Sequence, residues 1–204
     1  MRDNTKYDKI LDALQELLER KSIQTISVSE IAQTAGIGKG SIYYYFPSKD
    51  AILDALVERN YEKTLNTAKT LAHQTDIAPY TRMAMLFQAC RTASMEFVRQ
   101  SSSMARTDSK DQAFIHHKYL NHLVTQLKPE LTALIEQAIE NGESHFDHPA
   151  ALAEIVLIVL AVKIDNTLIP STAEEIEDTI KGLIELLEKG TGNPPGALNY
   201  LTMF

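Results

Sequence analysis

The sequence predicts an all-α protein of about nine helices, and three observations support this fold class. Apolar residues recur at helical spacing through most of the 204 residues. Only eight Gly and seven Pro occur, so long uninterrupted helices are possible. Capping motifs precede several of the apolar stripes, and Gly or Pro follows them.

Two helices are predicted before Gly36. The first covers Thr5–Arg20 and places its apolar residues at the i, i+3, i+4 and i+7 positions that form one face. These residues are Tyr7, Ile10, Leu11, Leu14, Leu17 and Leu18. Ser27 and Glu30 then form a capping box, in which each side chain bonds the amide of the other residue. A short second helix therefore begins there, and Gly36 ends it.

Three consecutive tyrosines, Tyr43–Tyr45, lie on the third predicted helix, Lys39–Phe46. This helix must end before Pro47, because the residue preceding a proline is disfavoured in a helix. Ile42 and Phe46 are four residues apart and share the face that packs on the core. Successive helical residues point about 100° apart, so at least two tyrosine rings must reach solvent or a partner. The two short helices and their glycine turn form a helix-turn-helix.

The remaining helices are predicted from apolar stripes, caps and breaks. Ser48 caps a fourth helix that continues to about Ala72. Pro129 is placed in the first turn of its helix, where proline is favoured, and Ser171 with Glu174 is interpreted as a further capping box. The other helices are predicted over 80–100, 111–127, 129–141, 150–168 and 173–189.

The exposed tyrosines lie beside Lys39 and Lys49, which is typical of a phosphate-binding surface. Tyrosine hydroxyls donate to phosphate oxygens, and the rings pack on sugars and thymine methyls. The net charge of the chain is −7, but residues 1–50 hold seven basic and seven acidic residues. The first quarter is therefore the only part that does not repel a polyanion.

Residues 7–61 resemble the DNA-binding region of the TetR family of bacterial transcriptional regulators. The resemblance rests on ILDALQELL, on SVSEIAQTAGIGKGSIYYYFPSK and on the Ser-Lys pair that opens the fourth helix. It implies a three-helix DNA-binding head, joined by the fourth helix to a helical body that binds a small molecule and forms a homodimer. The expected domains are the head 1–48, with the linking helix to about 61, the body 49–190, and a Gly/Pro linker with an apolar tail, 191–204.

The resemblance also implies roles for individual residues of the head. Those expected to contact DNA are Ser27, Lys39, Gly40, Ser41, Tyr43, Tyr44, Tyr45 and Lys49. Lys49 corresponds to a lysine that binds a phosphate from the start of the fourth helix. Gly38 replaces the Ser or Thr that usually caps the recognition helix, and it is a poorer cap.

The body is expected to form a dimer and to bind an effector. The helices over about 150–168 and 173–189 are the dimerisation candidates, because the first is apolar around most of its circumference. A central core helix of a monomer is the alternative. The effector pocket is expected among the helices from about 50 to 141, for an apolar or aromatic small molecule. Its expected lining is Met83, Phe87, Phe97, Met104, Phe114, His117 and His122.

The apolar tail is expected to pack on the body of its own or of a partner chain. A sharper hypothesis is that residues 193–204 occupy or cover the effector pocket, and it competes with simple packing. A terminus that frays is rarely as apolar as this segment.

Other chemistries fit the sequence poorly. Gly36–Ser41 lacks the residue order and the preceding strand of a Walker loop, and Ser41 stands where a dinucleotide-binding loop needs its last glycine. His116, His117 and His122 miss the spacing of a shared ligand pair, and the loop 145–148 has no third strong ligand. No nucleophile and base are recognisable, so neither an enzyme nor a cofactor nor a metal is predicted.

The expected function is that of a cytoplasmic, ligand-responsive repressor that acts on a palindromic operator. Neither a signal peptide nor an apolar run of the roughly 20 residues that span a membrane is visible. An activator or partner-dependent regulator of the same fold is the alternative, and a helical enzyme is the remote one.

Overall fold

The computed structural model describes residues 4–89, 92, 109–165 and 169–203, and within these ranges it contains helices and no strand. The helices are α1 (Asn4–Leu18), α2 (Val28–Thr34), α3 (Lys39–Tyr45), α4 (Lys49–Ala72), α5 (79–89), α6 (Ser109–Glu140), α7 (Pro149–Asp165), α8 (Ala173–Thr191) and a final 3-10 helix (Asn199–Met203). The predicted all-α fold class is confirmed. Two predicted helices lie partly outside the described residues. These parts are residues 90–91 and 93–100 of the predicted helix 80–100, and residues 166–168 of the predicted helix 150–168.

The chain divides into two compact units, and the first comprises residues up to Glu62 with the described residues from Ser109 to Tyr119. Its core is built from the apolar faces of α1 to α4. The side chains at its centre are at most 1% exposed: Ile10, Leu11, Leu14, Ile31, Ile42, Ile52 and Leu53. These are the stripe positions of the sequence, so the amphipathic pattern accounts for the packing.

A tight turn at Gly36 joins α2 to the segment that leads into α3. Gly36 has a φ of 66°, a left-handed conformation that costs a residue with a side chain roughly 1–2 kcal/mol. The Ile37 amide donates to the Ala32 carbonyl at 3.0 Å, and the Gly36 amide donates to the Gln33 carbonyl at 3.1 Å. These paired bonds form a Schellman motif, and Ile37 packs on the core. The helix-turn-helix geometry is thus fixed by both hydrogen bonds and packing.

The second unit comprises the other described residues, from Lys63 through α5, the later part of α6, α7, α8 and the 3-10 helix. Arg82 is buried in it and donates to the Ala72 carbonyl at 2.7 Å and to the Gln137 side chain. Arg82 therefore binds the end of α4 and the side of α6 from a position on α5. Across the described ranges, no helix combines the length and the apolarity needed to cross a membrane.

The prediction that Pro129 opens a new helix is wrong. Pro129 lies inside α6, which continues from Ser109 to Glu140. A proline in a helix interior costs about 3 kcal/mol, because it removes one amide donor and crowds the preceding turn. Leu127 and Leu131 on either side are at most 1% exposed, and burial of each contributes about 1.5–3 kcal/mol. Packing of the flanking turns offsets the local cost.

Helix α8 has a different N-terminal cap from the predicted one and ends later than predicted. Thr172 rather than Ser171 is its cap: the Thr172 hydroxyl accepts the Glu175 amide at 3.2 Å, and the Glu175 carboxylate accepts the Thr172 amide at 2.7 Å. The letters STAEE allow either register of the capping box. At the other end, Gly192 has a φ of 71° and caps the helix, whereas Gly190 lies inside it.

Candidate nucleic-acid interface and ligand cavity

Helix α3 has one buried face and one exposed face. Ile42 is 1% exposed, whereas Tyr43 and Tyr44 are 51% and 69% exposed. Burial of Ile42, together with the buried cap residue Phe46, fixes the rotation of the helix, so the two rings protrude side by side. Phenol groups held in this way can donate to phosphate oxygens and pack on sugars or thymine methyls.

Tyr45 differs from the two tyrosines before it. It is half-buried and packs on the core, with its ring edge-on to Tyr7 at 6.4 Å and to Tyr44 at 5.0 Å between centroids. Such contacts contribute about 0.5–1.5 kcal/mol each. Tyr45 therefore supports the ring of Tyr44, and its own expected DNA contact stays a prediction.

The first turn of α3 presents a basic and a small residue to solvent. Gly38 is the N-cap and supplies no side chain to bond the turn. Lys39 and Gly40 are exposed, and Ser41 is half-buried. A side chain at Gly40 would meet nothing within 4 Å, although glycine costs a helix about 1 kcal/mol relative to alanine. Packing does not require Gly40, whereas close approach of a nucleic-acid backbone would.

Ser27 and Glu30 form the predicted capping box at the start of α2, which is confirmed. The Ser27 hydroxyl accepts the Glu30 amide at 3.2 Å, and the Glu30 carboxylate accepts the Ser27 amide at 2.9 Å. The Lys21 ammonium also donates to this carboxylate. The bond from Lys21 and the bonds from Ser27 lower the pKa of Glu30 to about 2.

Replacing Glu30 by Gln is expected to reduce the acid sensitivity of the protein. A carboxyl group with a lowered folded pKa stabilises the fold above its unfolded value of about 4.3, and this contribution is lost as the pH falls towards about 2. Thermal unfolding followed by circular dichroism should show a smaller fall of the midpoint over that window in Glu30→Gln. Glu19→Gln removes the same charge from an exposed site and is the control. An equal fall in Glu30→Gln and wild type would contradict the prediction.

Lys49, at the start of α4, has a structural role that the sequence did not reveal. Its ammonium donates to the carbonyl of Ile23 at 2.6 Å and to that of Ile26 at 2.8 Å. Both carbonyls belong to the connector between α1 and α2, so Lys49 holds this connector against α4. These bonds use two of the three ammonium donors, and a contact of Lys49 with phosphate stays a prediction.

We expect Lys49→Ala to lower the free energy of unfolding of the first unit by about 1–3 kcal/mol, because two carbonyls lose a charged donor. Hydrogen exchange of the α2 amides measures this opening, and Lys39→Ala, which removes an exposed lysine, is the control. If Lys49 also binds phosphate, the dependence of log affinity for DNA on log salt concentration should flatten by about one unit of slope. Unchanged exchange would mean that the carbonyl bonds do not stabilise the unit in solution.

The second unit contains an apolar cavity next to its last residues, 193–203, which are called the tail segment below. The cavity volume is about 40 Å³, and the cavity is partly open to solvent. Its lining includes Met83 and Phe87 from α5, Leu131 and Ile135 from α6, and Leu198 and Leu201 from the tail segment. Tyr200 lies there too, and its burial and the nearby Tyr80 phenol raise the pKa of Tyr200 far above the usual range.

The residues predicted to line a pocket are spread more widely than the cavity. Met83 and Phe87 line it, whereas Phe114 and His117 are exposed in the first unit and His122 is half-buried in the second. None of these three lines this cavity. Phe97 and Met104 lie outside the described residues. In the described ranges, no three His, Cys, Asp or Glu side chains are grouped so as to hold a metal ion.

These features define a helix-turn-helix protein of the DNA-binding type with a separate helical unit. Residues 10–56 match the family described as "Bacterial regulatory proteins, tetR family". These residues lie in the head, so the resemblance of the head to the TetR family that was found in the sequence is confirmed.

Known proteins are similar to this chain either in the sequence of its head or in its fold. The HTH-type transcriptional regulator YvdT of Bacillus subtilis, itself uncharacterised, is 38% identical over 68 residues, which is 33% of this chain and 35% of YvdT. The match thus spans about a third of that relative. SmeT, the repressor of the Stenotrophomonas maltophilia efflux pump SmeDEF, has a TM-score of 0.60 at 14% identity, covering 94% of this chain and 92% of SmeT. RolR bound to resorcinol has a TM-score of 0.61 at 16% identity, covering 97% of this chain and 93% of RolR.

Proposed function

We propose that the protein is a ligand-responsive transcriptional repressor that binds a palindromic operator as a homodimer in the cytoplasm. The observation that carries the proposal is the exposed pair Tyr43 and Tyr44, held on the second helix of a helix-turn-helix by the buried Ile42. The match of residues 10–56 to a family of regulatory proteins supports DNA as the partner.

The small size of the proposed DNA-contacting surface supports a homodimer. Helix α3 has seven residues, so one head reads only a few base pairs. Two heads related by two-fold symmetry, about 34–36 Å or a further helical turn apart, read two half-sites of a palindrome. The combined affinity then exceeds that of either head alone.

The dimer is proposed to form through α7 and α8. Ala151, Ile155 and Ile158 are exposed and lie four and three residues apart, so they form one stripe along α7. Ile155 and Ile158 are about half exposed, and Leu186 on the neighbouring α8 is 72% exposed. Large apolar side chains grouped at a surface are typical of an interface, and a second copy would cover them in a self-complementary contact.

The effector is proposed to bind in the cavity of the second unit, whose apolar lining includes a few polar groups from Tyr80, Ser144 and Asn193. A ligand that favours one spacing of the two heads shifts the population away from the form that binds DNA. A ligand with equal affinity for both forms changes nothing. Helix α4 belongs to both units, to the first until Glu62 and to the second from Lys63, and would carry this motion.

Enrichment of fragmented genomic DNA from the source organism on the purified protein, followed by sequencing, tests the proposal. The wild type should enrich a palindrome, and Tyr43→Ala with Tyr44→Ala, which keeps the buried Ile42, should lose it. Lys49→Ala is less suitable as a control, because it also removes the bonds that hold the connector between α1 and α2. Failure of the folded, ligand-free dimer to enrich any sequence would remove the proposal. A reporter promoter that carries the palindrome then distinguishes repression from activation.

A further inference from the structure

The tail segment is bound to the second unit through one buried carboxylate. Glu188 of α8 is 8% exposed, and its Oε1 atom accepts the amide of Gly196 at 2.8 Å and that of Leu198 at 3.1 Å. Gly196 has a φ of 90°, a turn that glycine adopts readily. A buried carboxylate requires donors, so the tail segment satisfies Glu188 while Glu188 holds the tail segment.

The start of the tail segment is fixed by polar side chains of the cavity. The Tyr80 hydroxyl donates to Oδ1 of Asn193 at 2.7 Å, and Nδ2 of Asn193 donates to Oγ1 of Thr191 at 2.6 Å. All three residues line the cavity. These polar groups are thus bonded to one another in the present structure.

Apolar side chains of the tail segment form one wall of the cavity. Leu198 and Leu201 are buried there. The Tyr200 ring stacks on Phe87 with centroids 6.5 Å apart, and its hydroxyl lies 3.5 Å from Sδ of Met83. With the tail segment in this position, the cavity of about 40 Å³ is far smaller than the roughly 300–1,000 Å³ of small-molecule sites. A ligand of that size needs the space that the tail segment holds.

We propose that the tail segment is an internal occupant of the effector site and that an effector binds by displacing it. The inference rests on the ligand-responsive function proposed above. Displacement uncovers Met83 and Phe87 and takes two backbone donors away from Glu188. The site would therefore take an apolar aromatic molecule without an anionic group, because an anion would meet the Glu188 carboxylate.

Two dyes that share one aromatic scaffold test this site. N-phenyl-1-naphthylamine is uncharged, and 8-anilinonaphthalene-1-sulfonate adds an anionic sulfonate. Fluorescence titrations compare the full chain with a chain that lacks residues 197–204. The uncharged dye should bind the shortened chain at least about tenfold more tightly than the full chain. The affinity of the sulfonate dye should increase less. Equal affinity of the uncharged dye for the two chains, or binding to neither, overturns the proposal.

Full-length variants keep the test decisive if the shortened chain does not fold. Glu188→Gln weakens the charge-assisted bonds to the tail segment, and Tyr200→Ala removes the stacked ring. Each should raise the affinity for the uncharged dye by about threefold to tenfold. Thr202→Ala, exposed in the same segment, should leave it unchanged. Wild-type affinity in both Glu188→Gln and Tyr200→Ala overturns the proposal.

Hydrogen exchange separates displacement from closure over a bound ligand. Saturation of the wild-type chain with the uncharged dye should speed exchange of the Gly196 and Leu198 amides, because they lose their acceptor. Slower exchange would mean that the tail segment closes over the dye, which overturns displacement. Neither measurement involves DNA, so failure of operator enrichment and failure of this inference are separate results.

Discussion

Replacing Ile42 by Ala is expected to lower the free energy of unfolding of the first unit by about 2–5 kcal/mol, because a fully packed side chain leaves a cavity behind. Ile42 is 1% exposed in the core of α1 to α4. Tyr44→Ala, two residues further along the same helix, should cost less than about 1.5 kcal/mol, since it loses only the edge contact with Tyr45. It should nevertheless weaken DNA binding, because it removes the more exposed of the two tyrosine rings on the outer face of α3.

The two variants separate folding from DNA contact when measured together. Native-state hydrogen exchange of the α2 and α3 amides reports opening of the first unit, and fluorescence anisotropy with the enriched palindrome reports affinity. Ile42→Ala should lower both the stability of the first unit and the affinity for DNA, whereas Tyr44→Ala should lower mainly the affinity for DNA. If Tyr44→Ala opens the unit as much as Ile42→Ala does, the assignment of Tyr44 to an outer surface is wrong.

Substitution of Ile155 and Ile158 by Glu is expected to convert the proposed dimer to a monomer. Both side chains lie on the exposed stripe of α7, which the proposed partner copy would cover. A carboxylate buried there without a partner costs about 2 kcal/mol or more, so two of them should weaken association by about 100-fold or more. Operator affinity should fall with it, because each head then binds alone.

Sedimentation equilibrium measures the association, and circular dichroism shows whether the helices persist. Ala150→Glu adds the same charge to an exposed position in the first turn of α7, about 100° from the stripe, and should leave the dimer intact. A double variant that stays dimeric at the wild-type affinity would exclude α7 as the contact surface. Dissociation of Ala150→Glu as well would indicate an effect of charge rather than of the stripe.

Much of the first unit could be predicted from the sequence, because its signals are local. The stripe of α1, the capping box of Ser27 and Glu30 and the left-handed turn at Gly36 are each determined within a few residues. The exposure of Tyr43 and Tyr44 followed from placing Ile42 in the core. The bonds of Lys49 to Ile23 and Ile26 span 26 and 23 positions, and no short pattern predicts them.

The second unit was harder to predict, because the contacts that define its cavity join residues far apart in the chain. Periodicity indicates which face of a helix is buried and not which neighbour covers it. Met83 and Phe87 were therefore predicted to line the pocket, whereas a tail that occupies or covers the pocket could be stated only as a hypothesis that competes with simple packing. Pro129 was assigned by a local rule that packing of Leu127 and Leu131 overrides. The apolar letters of the tail indicated that it packs, but its bonds to Glu188 depend on tertiary structure.

Gly40 has a consequence for how variants of this protein would respond to selection. Nothing in the protein lies within 4 Å of a side chain placed there, and alanine in a helix is more stable than glycine by about 0.5–1 kcal/mol. A library screened for thermal survival alone should enrich alanine at position 40, whereas one screened for operator binding should keep glycine. At this position, selection for folding and selection for the proposed DNA binding would act in opposite directions.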